Sequence, residues 1–116
     1  MRSINPKSYY LQIIIAHRDK HYTSKLKKGL FEKGFKDIHT FNNGFAVLAH
    51  IVTYHSKLII IEENLPDLNA NDIKRAMIFK GIKSKLVIIK NTHEKLQGIE
   101  YIFSQCDTVL KRHLHS

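Results

Sequence analysis

A chain of 116 residues is long enough for one buried core and too short for two, and 43% apolar residues with only five Gly and two Pro exclude a disordered or fibrous chain. A single cysteine, Cys106, excludes an internal disulfide and fits a reducing compartment, so a cytoplasmic location is expected. No stretch reads as a membrane span or a secretory signal. Nineteen Lys+Arg against ten Asp+Glu leave a net charge of +9, which favours anionic partners, but the basic residues are spread from Arg2 to Arg112.

After an N-terminal extension over residues 1–10, the first strand is expected at Leu11 to Ala16, "LQIIIA". It is β-branched and unbroken by polar residues, as in strands buried on both faces of a parallel sheet. Asp19 then stands where a helix N-cap belongs, and Tyr22, Leu26, Leu30 and Phe31 recur at helical spacing before Gly34. Lys36 to Phe41 alternates like an edge strand. Phe45, Leu48, Ala49 and Val52 form the stripe of a second helix.

A third strand is expected at Lys57 to Glu62. A helix follows, capped by Asn69 or Asn71, with Ile73, Met77 and Ile78 facing inward and Gly81 as its stop. Lys85 to Lys90 reads as the fourth strand. The last helix runs from a cap at Thr92 and turns Leu96, Ile99, Ile102 and Phe103 inward, and Asp107 to Lys111, "DTVLK", reads as a fifth strand before a tail at 112–116. The order βαβαβαβαβ implies one α/β domain with a doubly wound, five-stranded parallel sheet. In such sheets reactive groups gather at the carboxyl ends of the strands. Those positions hold His17, Arg18 and Asp19, then Glu62 and Glu63, Lys90 and Asn91, and Lys111.

This arrangement resembles the receiver domain of two-component response regulators, the CheY-like module with a flavodoxin-like fold. The resemblance runs from Leu11 to Lys111, and its most telling piece is Leu65-Pro66-Asp67, three residues after the end of the third strand. It makes Glu62 the equivalent of the phosphoacceptor aspartate and Lys111 the equivalent of the fifth-strand lysine. The departures define an atypical, pseudo-receiver site. The acidic pair that binds Mg²⁺ in the family is replaced by His17 and Arg18, the Thr or Ser after the fourth strand by Lys90, and the aromatic switch residue by Thr108. Ala70 stands for the loop glycine and Arg112 for the proline after the lysine, and with the sequence stopping at Ser116 the fifth helix is expected to be absent or truncated.

Phosphoryl transfer to a carboxylate needs Mg²⁺ and oxygen ligands to hold it. His17 and Arg18 supply none, so neither Mg²⁺ binding nor any other cofactor is expected. Instead, Glu62 is expected to pair with Lys90 or Lys111, with Arg18 close enough to join. With no fifth helix, one side of the sheet is expected to lack its cover and to leave Tyr101 and Phe103 as an interaction face. The resulting expectation is a non-enzymatic signalling or scaffolding domain that acts by protein contact or self-association, independently of phosphorylation. A basic nucleic-acid-binding module is the alternative.

Other chemistry finds less footing. His50 and His55, His17 and His21, and His113 and His115 are paired in sequence but lack the carboxylates or cysteines that close a metal site. No glycine-rich phosphate loop and no nucleophile elbow is present, and Cys106 reads as a small core hydrophobe.

Overall fold

The computed structural model describes residues 11–90 and 100–108. Four strands, β1 (Ile13–Ala16), β2 (Ile38–Phe41), β3 (Leu58–Glu62) and β4 (Lys85–Ile89), form one parallel sheet in the order β2-β1-β3-β4. The interleaved helices are α1 (Lys20–Glu32), α2 (Gly44–Ile51) and α3 (Ala70–Lys80), and a fourth helix, α4, covers residues 100–108. Among the described residues no helix is long and apolar enough to cross a membrane.

The two central strands set the core. Six isoleucines, Ile13, Ile14, Ile15, Ile59, Ile60 and Ile61, are fully buried in β1 and β3, each contributing about 1.5–3 kcal/mol of burial. Alternation along the strands divides them between two layers. Ile13, Ile15, Leu58 and Ile60 pack with Tyr22, Leu26 and Leu30 of α1, and with Ile102 and Cys106 of α4. Ile14, Ala16, Ile59 and Ile61 pack with Val47 and Ile51 of α2 and with Ile73 and Met77 of α3.

Local signals explain the helix boundaries. Asp19 accepts the backbone N–H groups of His21 and Tyr22 to start α1, Asn43 accepts that of Ala46 to start α2, and Asn69 forms a capping box with Asp72 at the start of α3. Gly81 ends α3 in the left-handed region at φ 71°, where it carries no Cβ penalty.

Three expectations about inner faces are corrected. Phe31 is 53% exposed and Ile78 is 71% exposed. In α2 the inner stripe is Gly44, Val47 and Ile51, whereas Phe45, Ala49 and Val52 face solvent. "GFAVLAHIV" is apolar all round, so its periodicity does not choose a face; the cap at Asn43 sets the phase instead.

The end of the fold also differs from expectation. Asp107 and Thr108 are helical, and the Thr108 hydroxyl donates to the Ser104 carbonyl at 3.2 Å, so the segment read as the start of a fifth strand continues α4. Ile102 and Cys106, four apart and fully buried, extend one helical stripe, and this packing outweighs the strand preference of "DTV". Thr108 therefore does not occupy a strand position, and the sheet has four strands among the described residues. The layer expected to be bare is covered: α4 lies on the α1 side, and the half-buried Phe103 ring sits over Gly29, where a Cβ would collide with it. Tyr101 is 59% exposed. The N-terminal extension, Lys111 and the 112–116 tail lie outside the described residues.

Candidate functional site

The carboxyl ends of β1 and β3 lie side by side, with Ala16 paired to Ile61. Alternation places Glu62, the last residue of β3, on the α1 side with Leu58 and Ile60, at the height of the turn His17-Arg18-Asp19 that enters α1. A glutamate is tolerated there because the turn supplies donors.

Arg18 supplies three of them. Its backbone N–H donates to Glu62 Oε1 at 2.9 Å, while Nε and Nη2 donate to Oε2 at 3.0 and 2.7 Å. The Glu62 side chain is only 4% exposed, whereas that of Arg18 is 50% exposed. The cation thus forms a half-wet lid on a buried anion. Burial pushes the Glu62 carboxyl up, but the Arg18 hydrogen bonds, with the nearby charges of His17 and Arg18, outweigh it and hold the pKa below the usual value. The hydrogen bond to Glu62, followed by its charge, raises the pKa of Arg18 in turn.

His17 plays a different part. Its Nδ1 lies 3.8 Å from Glu62 Oε1 but accepts the Asp19 backbone N–H at 2.9 Å, so in the neutral ring that nitrogen presents no proton to the carboxylate. The ring stacks on Tyr22 with centroids 4.5 Å apart. His17 thus shapes the turn while standing 3.8 Å from the Glu62 carboxylate.

Among the described residues Arg18, not Lys90, holds Glu62, which corrects the Lys90 half of the expected pairing. Glu62 is in register with Ile89, whose buried side chain shares the α1 layer, so Lys90, one residue on, alternates away. Lys90 is exposed at the end of β4, and Lys111 lies outside the described residues. Glu63 and Asn64 belong to the turn: Glu63 N–H donates to Ile89 O, Glu63 O accepts from Ala70 N–H, and Asn64 bridges Asn69.

Sequence reasoning gave Asp67 no role. Its carboxylate reaches across to α2, where Oδ1 accepts the Gly44 N–H at 2.7 Å and Oδ2 accepts the Phe45 N–H at 2.9 Å; Oδ1 also accepts the N–H of Leu68. An anion at a helix N-terminus meets both unpaired donors and a favourable dipole. Slight burial pushes the Asp67 carboxyl up, but these backbone bonds prevail and lower its pKa. The turn after β3 is thereby tied to β4 through Glu63 and to α2 through Asp67. The signal was the Leu-Pro-Asp triplet itself, which places an acid beside the strand end.

This arrangement does not fit Mg²⁺. The positions after β1 offer an imidazole and a guanidinium in place of oxygen donors, and both Glu62 oxygens are already engaged. Among the described residues no group of three or more His, Cys, Asp or Glu side chains converges on a metal position. Cys106 is buried, and that burial, followed by the charge of Asp107, pushes its thiol up to about 12, so it stays a thiol in the core.

No family model matches the sequence, and no curated relative matches it. Solved structures do. The receiver domain of the Francisella response regulator 1452 is similar over 89% of this chain and 98% of its own, with a TM-score of 0.73 at 18% identity. The signal receiver domain of the putative response regulator NarL from Mycobacterium tuberculosis is similar over 79% of this chain and 77% of its own, with a TM-score of 0.64 at 9% identity. The chain has the fold of a response-regulator receiver domain.

Proposed function

We propose that this chain is a pseudo-receiver: a non-enzymatic signalling or scaffolding domain that acts by protein contact and does not depend on phosphorylation. The observation that supports this is the Arg18–Glu62 pair. At the place where a receiver exposes its phosphoacceptor, this chain holds a buried carboxylate whose two oxygens accept three hydrogen bonds from one residue. A nucleophilic carboxylate needs a free lone pair aimed at the phosphoryl donor and a cation to neutralise the phosphate oxygens. Arg18 engages both carboxylate oxygens and sets a guanidinium against them in place of a metal ion. Tyr101 belongs to the contact surface, and Phe103 belongs mainly to the packing of α4 on α1. The single cysteine supports a cytoplasmic location.

The test is incubation of the full chain with acetyl phosphate and Mg²⁺, followed by intact-mass and melting measurements. No phosphate-sized increment and no change in Tm are expected. Incorporation on Glu62 overturns the proposal.

The outer surface of α1 favours a second possibility, a basic nucleic-acid-binding module. Lys20, Lys27 and Lys28 are exposed at spacings that align them along the helix, and the first turn holds no acid. Binding of a mixed-sequence oligonucleotide that weakens linearly in log[salt] would favour this reading.

A further inference from the structure

We infer that the groove at the amino ends of the strands docks an acidic peptide segment, with apolar anchors, of another protein. This groove of about 980 Å³ lies between the ends of α2 and α3, opposite the Arg18–Glu62 site. Val52, Tyr54 and Phe79 line it and are 49%, 55% and 88% exposed. Aromatic and aliphatic side chains left in water around one concavity are the features of an interface core awaiting its partner.

The charge around the groove selects the partner. Lys57, Lys80 and Lys83 line it, are exposed, and form no ion pair among the described residues. Among the described residues the one lining acid is Asp37, whose carboxylate is engaged by His39 Nε2 at 2.7 Å. The polar groups of the floor are satisfied internally: Ser56 Oγ donates to Gln12 Oε1, and Ser84 Oγ donates to Ser56 O. What the groove leaves unmet is apolar surface and positive charge. An acidic segment with aliphatic or aromatic side chains supplies both.

The same charge argues against self-docking. Residues 1–10 hold Arg2 and Lys7 and no acid, residues 109–116 hold Lys111 and Arg112 and no acid, and a second copy brings a net charge of +9. Single-stranded nucleic acid also brings negative charge, but it is bound on platforms of aromatic rings. Here the wall is partly aliphatic, with Val52 and Ile82 beside Tyr54 and Phe79.

This extends the protein-contact reading above by naming a surface and a partner class, and the two fail separately. Phosphate incorporation on Glu62 sinks the pseudo-receiver proposal and leaves the groove untouched. The groove is tested by selecting a random displayed peptide library on the full chain, then measuring a synthetic copy of the winning peptide by fluorescence anisotropy. Enrichment of acidic peptides with aromatic or aliphatic anchors is expected. Their affinity should fall about tenfold or more in Phe79→Ser and in Lys80→Glu/Lys83→Glu, but not in the charge-matched Lys25→Glu/Lys28→Glu on α1. Because the altered side chains are exposed, Tm should stay at the wild-type value. Failure to enrich, enrichment without acidic bias, equal loss in the α1 variant, displacement by oligo-dT, or a dimer that the groove variants dissolve each overturns the inference.

Discussion

Arg18 and Glu62, 44 residues apart, join β1 to β3 through three hydrogen bonds to one carboxylate, one of them from the Arg18 backbone. The two side chains differ sharply in exposure, 50% against 4%, so the pair is not symmetric. Replacing Glu62 frees a guanidinium that is already half in water, whereas replacing Arg18 removes two of the three donors to a carboxylate set inside the fold. Glu62→Gln should cost about 1–2 kcal/mol, toward the low end for charged hydrogen bonds because the guanidinium is solvent-screened, and should lower Tm by roughly 5 °C. Arg18→Ala should lower Tm further at pH 7 and recover part of the loss as acid protonates Glu62. Thermal melts of the two variants at neutral and mildly acid pH check this, and an unchanged Tm in Glu62→Gln would remove the structural role.

The pH dependence follows from the same carboxylates. Glu62 and Asp67 have folded pKa values below their unfolded ones, so the unfolded chain binds protons more readily. The stability they contribute is fully present above the unfolded values, about 4, and is lost as pH falls through the folded values. His50 adds an earlier, shallower step. Burial and then the neighbouring His39 lower its pKa from 6.5, with Asp37 opposing. Its neutral form is favoured on folding, and that stability is present above pH 6.5 and declines as pH falls below it. Urea melts across pH 3 to 8 should show both steps, and His50→Phe should flatten only the upper one.

The cap of α3 was narrowed to Asn69 or Asn71, of which the structure uses Asn69. The β-branched runs of β1, β3 and β4 and the cap Asp19 were legible in the sequence, because each is a local pattern with a local cause. The phase of α2 was not, since "GFAVLAHIV" is apolar on every side and Asn43 chooses the face. The end of α4 was not, since the buried pair Ile102 and Cys106 overrides the strand preference of Thr108. At the strand-end site the residue types were legible but not the partner. Whether Glu62 meets Arg18 or Lys90 depends on which side of β3 its side chain takes, and that follows from register with β1 and β4.

Gly29 and Phe103 offer a test of α4 packing. Alanine in a helix interior is normally favoured over glycine by about 1 kcal/mol. At Gly29 the added methyl falls on the Phe103 ring, so Gly29→Ala should fail to stabilise and should lower Tm. Phe103→Ala removes the obstacle, and in that background Gly29→Ala should regain its helical benefit. A double-mutant cycle should therefore return a coupling well above 0.5 kcal/mol, and additive effects would place the ring elsewhere.

Tyr22 carries the least comfortable atom at the candidate site. The side chain is 4% exposed and stacks on His17, yet its hydroxyl has no hydrogen-bond partner among the described residues. Burial accordingly raises its pKa above 10. A desolvated hydroxyl without a partner costs about 1–3 kcal/mol, and phenylalanine keeps the ring and its stacking while removing that atom. Tyr22→Phe should therefore be neutral or raise stability by about 1 kcal/mol, in contrast to Tyr22→Ala, which opens a cavity beside Leu26 and should lose about 3 kcal/mol or more. Denaturant titration of both variants decides the matter, because a destabilised Tyr22→Phe would mean that the hydroxyl is hydrogen-bonded in the folded protein.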